Sequence, residues 1–428
     1  MSDEQHPNGN SRPDIQTPDP SIASRPCDLA SVGTHVEKIN KLATASSPDD
    51  NNTRLELAEA ARRLVRALET PRETMIKHCW AQPSAMTAIT TCVDLGLFEV
   101  MVNGDSHSTT SAELARAVGA DSALVARLLR HLSAMGYVEE TGADEYAPTN
   151  FTRSLCIPAI SAGYPLLSGG FLASNIKFHE YMKKTGYVVP SSMLSGPYQY
   201  AYGTDKHVFE HLQANPPYGD LFNLHMAAYR QGRASWMDPQ FFPVQEKLID
   251  GANQSKEAVF LVDIGGSIGH DMEEFLTKHP SVPGRLVLQD LLAVLQQITT
   301  LDERIERMEH DFFDEQPVKG SRAYYMHSIL HDWSDEQCLK ILSQLSESME
   351  PGYSKLLVNE NVIPPRHAYW ETTALDILMM TGFSSRERTK REWEDLLGAS
   401  GLRICNIWTV DNGVESLIEC ELDTKDLC

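Results

Sequence analysis

The segment that decides the fold is FLVDIGGSIGH, residues 260–270. An apolar, strand-like run leads into Gly265 and Gly266, and Gly269 ends the turn before a helical pattern begins. Glycines permit a tight turn and close approach of the backbone to a ligand, and a helix start offers free N–H groups to an anionic group. This stretch therefore predicts a ligand-binding turn between a strand and a helix; a tight turn without a ligand is the alternative.

Further short runs rich in β-forming residues continue to the C-terminus, separated by helical stretches, at 284–290, 321–330, 354–363 and 402–410. Strands that alternate with helices indicate an α/β domain with an open, doubly wound parallel sheet and helices on both faces. Ligands of such sheets bind in the crevice at the carboxyl ends of the strands. We therefore predict a Rossmann-like domain over residues 251–428.

The residues before this domain differ in character. Residues 1–52 are rich in Pro, Ser, Asp and Asn, which predicts a disordered tail. Residues 53–165 combine amphipathic helices with a helix–turn–helix and a hairpin, an α-helical winged-helix outline suited to dimerisation. Residues 166–250 are helical and rich in Pro, Gly, Tyr and Met, which predicts a linker that contributes to a substrate pocket.

Composition excludes several classes of protein. The formal net charge of −22 argues against nucleic-acid binding, because phosphate contacts need clustered Lys and Arg, and it speaks against a winged-helix regulator. The eight cysteines form no CxxC pair, so reduced thiols are expected rather than a zinc ribbon or a disulfide scaffold. Without a signal peptide or an 18-residue apolar run, the chain is predicted to be cytoplasmic and not bound to a membrane.

Acidic residues follow the strand-like runs. Asp290 ends the run at 284–290, where doubly wound folds place an acid on the hydroxyls of a ribose, and Asp311 follows the next strand region. A dinucleotide site is possible on this pattern, but Ser267 interrupts the GxGxxG spacing. The order of glycines, Asp290 and Asp311 instead resembles the S-adenosylmethionine site of class I methyltransferases.

A histidine follows the run at 321–330. His331 is predicted at a strand end on the ligand side of the sheet, where an imidazole can take a proton from a substrate hydroxyl. Glu360 and Glu387 are candidates to accept the second imidazole N–H and fix the tautomer, although either is also typical of solvated surface. His327 and His331 have the HxxxH spacing of a zinc site, but the glutamate of that motif is missing, so no metal is predicted.

A family resemblance rests on the whole set of motifs from about residue 55 onward: LVDIGGSIG, VLQDL, EHDFFD, ILHDWSDEQCLKIL, NENVIPP and RERTKREWEDLLGASGL. In order and spacing they resemble the plant caffeate-type and fungal polyketide O-methyltransferases. The resemblance implies a homodimer, S-adenosylmethionine as cofactor and a small phenolic or polyketide-type acceptor. An enzyme of the same fold that catalyses a pericyclic or other rearrangement is the alternative.

The resemblance also assigns roles to individual residues. It implies that the cofactor is bound by Gly265, Gly266, Gly269, Asp290, Asp311, Phe312 and His327. It implies His331 as the general base, with Asp332 beside it and Glu360 and Glu387 orienting its ring. Two departures from the family pattern are Ser267, in place of a glycine, and His327, in place of a Lys or Arg. The acceptor pocket is expected to include Phe222, Met226, Trp236, Trp333 and the region from Asp376 to Phe383, where plain core packing is the alternative.

Overall fold

A computed structural model describes residues 18–45, 50–104, 107–229, 233–410 and 413–423. The chain divides into two compact units, one ending at Arg153 and one beginning at Ser154. This boundary lies earlier than the predicted limit at residue 165. The predicted linker over 166–250 is part of the second unit rather than a separate segment.

The first unit is mainly helical. Its elements are α1 (Val32–Ala45), α2 (Asn51–Leu68), α3 (Pro71–Ile76), α4 (Gln82–Asp94), α5 (Leu97–Asn103), β1 (Thr109–Thr110), α6 (Ser111–Val118), α7 (Ser122–Ala134), β2 (Val138–Gly142) and β3 (Glu145–Pro148), and α8 (Asn150–Ser154) crosses into the second unit. A capping box of Thr110 and Glu113 begins α6, and Asp121 caps α7. The three strands form an antiparallel sheet in the order β1-β3-β2, so the predicted winged-helix outline is confirmed.

The predicted disordered tail is wrong for residues 18–45. These residues form two short 3-10 turns and helix α1, which packs against α2. The apolar stripe of α1 is narrow, with its half-buried members at Val32, His35, Ile39 and Leu42. Packing against a neighbouring helix, rather than strong periodicity, stabilises such a helix. Residues 1–17 and 46–49 of the predicted tail lie outside the described residues.

The second unit begins with helices α9 (Pro158–Ser161), α10 (Gly163–Gly170), α11 (Leu172–Thr185), α12 (Pro197–Tyr202), α13 (Val208–Ala214) and α14 (Tyr218–Tyr229). It continues with β4 (Val259–Ile264), α15 (His270–Lys278), β5 (Arg285–Asp290), α16 (Leu292–Leu295), β6 (Ile305–Glu309), β7 (Ala323–His327), α17 (Asp335–Ser346), β8 (Lys355–Glu360), β9 (Val362–Ile363), α18 (Trp370–Phe383), β10 (Arg388–Thr389), α19 (Lys390–Ala399), β11 (Leu402–Trp408) and β12 (Ser416–Leu422). The α/β class with a Rossmann-like second domain is thus confirmed.

Seven strands form the main sheet in the order β11-β12-β8-β7-β4-β5-β6. The five strands from β8 to β6 are parallel to one another. The expectation of an entirely parallel sheet is wrong at one edge, because β12 runs antiparallel to both β8 and β11. The connection from β11 to β12 is too short for the crossover that a parallel pair requires.

The sheet is covered on both faces. Alternate residues of β4 belong to two different hydrophobic clusters, Leu261 to one and Val262 to the other. From β4 the chain adds β5 and β6 on one side, and it then crosses back to add β7 on the other side of β4. The order of strands therefore reverses between β4 and β7. At such a switch point the carboxyl ends of neighbouring strands open a crevice for ligands. The glycine turn follows β4 and the two histidines lie in and after β7, so both border this crevice.

Among the described residues, no single helix has the length and apolar character needed to cross a membrane. One bent pair of helices, Pro71–Asp94 with Leu97–Asn103, satisfies the criteria of length and composition only when its two members are taken together.

Candidate active site

The glycine turn after β4 needs glycine for two different reasons. A Cβ atom on Gly266 would lie 2.4 Å from Oδ2 of Asp263 and 2.5 Å from Cδ1 of Leu288, so no side chain fits there. Gly269 has a φ of 89°, a conformation that glycine adopts without strain, and α15 begins at the next residue. The turn therefore brings bare backbone and the N-terminus of α15 to the crevice, a cradle that suits an extended ligand with a charged end.

Asp290 closes one side of this cradle. Its Oδ2 accepts a hydrogen bond from the Ser267 N–H at 2.8 Å, and its Oδ1 accepts one from the Leu291 N–H at 2.7 Å. Burial raises the pKa of Asp290 to about 6, although these two backbone hydrogen bonds act in the opposite direction. Each carboxylate oxygen retains a further lone pair for a ligand hydroxyl. Ser267, where the family has a glycine, keeps the left-handed conformation with a φ of 54°.

Asp311 and Phe312 follow β6, and Phe312 reaches the same turn. A Cβ on Gly265 would lie 3.6 Å from Cε1 of Phe312, so the ring lies against the glycine turn. Phe312 also packs edge-on against Trp333, with ring centroids 5.8 Å apart. Asp311 is exposed and accepts a hydrogen bond from the Phe313 N–H at 3.0 Å. Five of the seven predicted cofactor residues, Gly265, Gly266, Gly269, Asp290 and Phe312, thus lie together around the glycine turn, where bare backbone, a carboxylate and an aromatic ring match the groups of S-adenosylmethionine.

His331 lies in a short 3-10 turn, Leu330–Asp332, that follows β7. Its Nδ1 is 2.8 Å from Oε1 of Glu387 and 3.8 Å from Oε2 of Glu360. Its Nε2 is 3.7 Å from Oδ1 of Asp332, which is too long for a hydrogen bond. Because a carboxylate only accepts, Nδ1 carries the proton in the neutral ring and Nε2 has a lone pair available.

The side chain of Glu360 is held by backbone N–H groups, and the backbone of Glu387 is held by a neighbouring acid. Oε1 of Glu360, at the end of β8, accepts hydrogen bonds from the N–H groups of Leu330 at 2.8 Å and His331 at 3.3 Å. The N–H of Glu387 donates to Oδ1 of Asp376 at 3.0 Å. Both glutamate side chains are fully buried, and the His331 side chain is only 9% exposed. The acids therefore anchor the histidine turn as well as its ring.

This arrangement makes His331 a strong base. Burial alone would lower the pKa of His331, but the carboxylates of Glu360, Glu387 and Asp332 outweigh burial and raise the pKa well above its ordinary value of 6.5. Burial raises the pKa of Glu360 to about 7 and that of Asp332 to about 6, despite the nearby imidazole. A proton taken up by His331 would be stabilised by neighbouring negative charge.

Sequence reasoning missed Arg388, which fixes the turn from the other side. Its guanidinium donates hydrogen bonds to the carbonyl oxygens of Leu330 at 2.8 Å and Trp333 at 3.1 Å, and to Oδ1 of Asp335 at 2.8 Å. The side chain is 1% exposed and stacks over the ring of Trp393 at 5.1 Å. The available signal in the sequence was the position of Arg388 directly after Glu387.

His327 belongs to a different cluster. Its Nδ1 lies 2.7 Å from Oδ2 of Asp271 and its Nε2 lies 2.9 Å from Oε2 of Glu415. Burial would raise the pKa of Glu415, but the adjacent His327 outweighs it and lowers the pKa to about 2. Both ring nitrogens of His327 contact carboxylates, so neither nitrogen is free to make the predicted contact with the cofactor. His327 and His331 of the HxxxH spacing therefore contact different carboxylates and do not form one cluster.

Several predicted acceptor residues lie in an aromatic cluster. Phe222 packs against Phe171 at 6.5 Å and Phe209 at 5.5 Å, and Phe383 packs against Phe209 at 5.4 Å. Met226 is 39% exposed on the same helix as Phe222. Trp236 instead packs in the core, where its ring lies 5.1 Å from Tyr325 and 6.0 Å from Phe275. This packing favours the core alternative for Trp236, and its contact with the acceptor stays a prediction.

Comparison with known proteins gives a consistent result. Residues 83–156 match the O-methyltransferase dimerisation domain, and residues 192–403 match the O-methyltransferase domain. The O-methyltransferase mpaG of Penicillium brevicompactum is 35% identical over 389 residues, which cover 90% of this chain and 98% of that protein.

Solved structures agree with this match. LepI in complex with SAM has a TM-score of 0.83 at 29% identity, with 92% of this chain and 99% of that chain covered. A structure of a pericyclic reaction enzyme has the same TM-score, identity and coverage. Since both domains match in order and a fungal relative aligns over 90% of this chain, this chain belongs to the O-methyltransferase family.

Proposed function

We propose that the protein transfers a methyl group from S-adenosylmethionine to a hydroxyl of a small phenolic or polyketide-type metabolite, with His331 as the general base. The observation that carries this proposal is the buried contact of 2.8 Å between Nδ1 of His331 and Oε1 of Glu387 at the switch point of the sheet. Membership of a family with fungal O-methyltransferases supports the reaction type.

The glycine turn and its neighbours would hold the cofactor. Gly266 and Gly269 would offer backbone to the methionine part, Asp290 would accept from the ribose hydroxyls, and Phe312 would pack against the adenine region. S-adenosylmethionine, when bound, supplies a methyl group on a sulfonium that is already a strong electrophile. The chemistry left to the protein is alignment of the acceptor and removal of one proton.

His331 removes that proton. Nε2 takes the proton of the acceptor hydroxyl, while the Nδ1–H bond to Glu387 keeps the ring in the required tautomer and orientation. A phenol has a pKa near 10, and the raised pKa of His331 narrows the gap between donor and acceptor of the proton. A well-placed general base contributes roughly 10²- to 10⁴-fold in rate.

Alignment of the acceptor falls to the aromatic cluster around Phe209, Phe222 and Phe383 and to Trp333. Flat rings packed at centroid distances of 5.4 and 5.5 Å suit a planar aromatic ligand. Holding the hydroxyl oxygen in line with the methyl group removes much of the entropic barrier, on the order of 7–11 kcal/mol for well-oriented reactants.

The test compares wild-type protein with His331→Ala. Titration calorimetry should detect S-adenosylmethionine binding to both proteins, and a mass-spectrometric screen of phenolic acceptors should detect methylation only with the wild type. A fully active variant would remove His331 from the mechanism. Potential metal-ligand atoms of His331, Glu360 and Glu387 also lie within 4.8 Å of one another, so the screen is repeated with EDTA. If EDTA abolishes activity and a divalent cation restores it, these residues form a metal centre and His331 is not the general base.

A second candidate is a pericyclic or other rearrangement with the cofactor retained. The observation in its favour is the similarity to the pericyclic reaction enzyme. Cofactor binding without methylation of any acceptor in the screen would favour this candidate, whereas methylation dependent on His331 would exclude it as the main activity.

We also infer a homodimer, from the match of residues 83–156 to a dimerisation domain. Light scattering should then give twice the chain mass of 47.7 kDa. A measured mass equal to that of one chain would refute the homodimer.

A further inference from the structure

A second histidine lies beside the base-bearing turn. His207 is the N-cap residue of α13, and its Nδ1 accepts a hydrogen bond from the Phe209 N–H at 3.4 Å. Its imidazole stacks on the indole of Trp333, with the centroids 5.3 Å apart and the planes inclined by 3°. Trp333 is itself fixed, because its carbonyl oxygen accepts hydrogen bonds from Ser385 at 2.8 Å and from Arg388 at 3.1 Å.

The other ring nitrogen of His207 has no partner. Its Nε2 is buried and makes no hydrogen bond within the described part of the chain. Since Nδ1 accepts, the proton of the neutral ring resides on Nε2, which is therefore a buried donor without an acceptor. Burial also lowers the pKa of His207, which keeps the ring neutral. Buried polar groups are nearly always hydrogen-bonded, so this exception requires an explanation.

The surroundings of His207 suggest what the missing acceptor is. On one side lies Trp333, two residues after the base. On the other side Phe209, 5.3 Å from the imidazole, connects to Phe222 and Phe383 in the aromatic cluster. His207 thus packs against Trp333, two residues after the proposed base, and is joined through Phe209 to the rings that would pack against the acceptor.

We propose that the Nε2–H of His207 donates a hydrogen bond to a second oxygen, a hydroxyl or carbonyl, of the acceptor. The inference rests on the proposed function and narrows its substrate class to phenols that carry another oxygen on the same ring system. Such an acceptor satisfies the buried donor, whereas an analogue without that oxygen leaves the donor unpaired and is rejected. His207 is accordingly a specificity-determining residue rather than a catalytic one.

Two variants separate the hydrogen bond from other contributions of the ring. His207→Phe retains an aromatic ring that can stack on Trp333 but removes the Nε2–H. His207→Asn retains a side chain that is favoured as an N-cap but removes the ring and its reach. His211→Phe is the matched control, because His211 lies on the same helix and uses its Nδ1 on the hydroxyl of Tyr198 at 2.9 Å.

The assay is calorimetric binding of four probes to protein saturated with S-adenosylhomocysteine: phenol, catechol, resorcinol and hydroquinone. We expect wild type and His211→Phe to bind at least one of the three diphenols about 10-fold more tightly than phenol, since a site built to hydrogen-bond a ligand group discriminates against its absence. His207→Phe and His207→Asn should abolish that preference. Equal preference in wild type and His207→Phe, or no preference in the wild type, or no binding of any probe would overturn the proposal.

This readout does not depend on turnover, so the two hypotheses fail differently. A diphenol preference that depends on His207, with no methylation of any acceptor, would refute the proposed methyl transfer and leave the binding role of His207 intact. Methylation that requires His331, with a probe preference that survives His207→Phe, would uphold the proposed function and refute the role of His207.

Discussion

Replacing Glu387 with glutamine should move the pH dependence of methyl transfer without removing the base. The substitution keeps an oxygen that can accept from Nδ1 of His331, at the position now 2.8 Å away, but it removes the negative charge. Both side chains are buried, so little solvent screening weakens the interaction that is lost. The perturbation is therefore electrostatic rather than steric.

The size of the shift follows from the geometry. A hydrogen bond to a charged group contributes about 1.5–3 kcal/mol. One pKa unit corresponds to about 1.36 kcal/mol, so losing the charge of Glu387 should lower the pKa of His331 by about 1–2 units. In the variant Glu360 and Asp332 still act to raise the pKa of His331.

The sign of the effect is the informative part. In the wild type the raised pKa leaves His331 largely protonated at neutral pH, so kcat should rise as the pH increases through that pKa. In Glu387→Gln the rising limb should lie about 1–2 pH units lower. The plateau at high pH should fall by roughly three- to tenfold, because a weaker base transfers the proton less readily.

The measurement is kcat against pH at saturating cofactor and acceptor. Glu415→Gln is the matched control, because it neutralises a buried carboxylate on the other histidine, His327, and should leave the rising limb of kcat unchanged. A limb that shifts upward in Glu387→Gln, or one that shifts equally in both variants, would refute the assignment of His331 as a base tuned by Glu387.

Two further predictions concern the support of the site and the cofactor cradle. Arg388→Met should destabilise the protein by about 1–3 kcal/mol in chemical denaturation and lower kcat at least tenfold, because it removes the hydrogen bonds of the buried guanidinium to the carbonyl oxygens of Leu330 and Trp333 and to Asp335; a variant with wild-type stability and kcat would contradict this role. Gly266→Ala should abolish measurable S-adenosylmethionine binding in calorimetry, because its Cβ would lie 2.4 Å from Asp263. Gly398→Ala is the control: its Cβ would have nothing within 4 Å, so this variant should bind the cofactor normally and gain about 0.5–1 kcal/mol of stability in helix α19. Normal cofactor affinity in Gly266→Ala would place the cofactor elsewhere.

The sequence predicted best what local patterns determine. The strand, glycine turn and helix over residues 259–278 depend on hydrophobic alternation and on glycine, and both can be recognised without tertiary information. The contact between His331 and Glu387 is different, because it joins residues 56 positions apart. The residues alone offered Glu387 as one of two candidate partners and did not distinguish it from solvated surface; the family resemblance assigned it.

The misses have a common physical cause. Helix α1, the antiparallel strand β12 and the buried Arg388 are all decided by what packs against them. Their local signals are weak, because α1 has a narrow apolar stripe, β12 is a strand of seven residues and Arg388 belongs to a charged motif. His207 belongs to the same group, because nothing in the sequence around it indicates that its ring stacks on Trp333.

The two histidines at the end of β7 show why surroundings, not residue type, decide which one acts. Each faces two buried carboxylates from other elements. Both nitrogens of His327 lie within 2.9 Å of an acid, so neither is open to a substrate. Within the described residues, only Nδ1 of His331 is hydrogen-bonded to an acid, and its Nε2 has no acid closer than 3.7 Å. A base must gain and lose a proton in each turnover, and only a ring with one nitrogen anchored and the other unoccupied can do so without breaking the contacts that orient it.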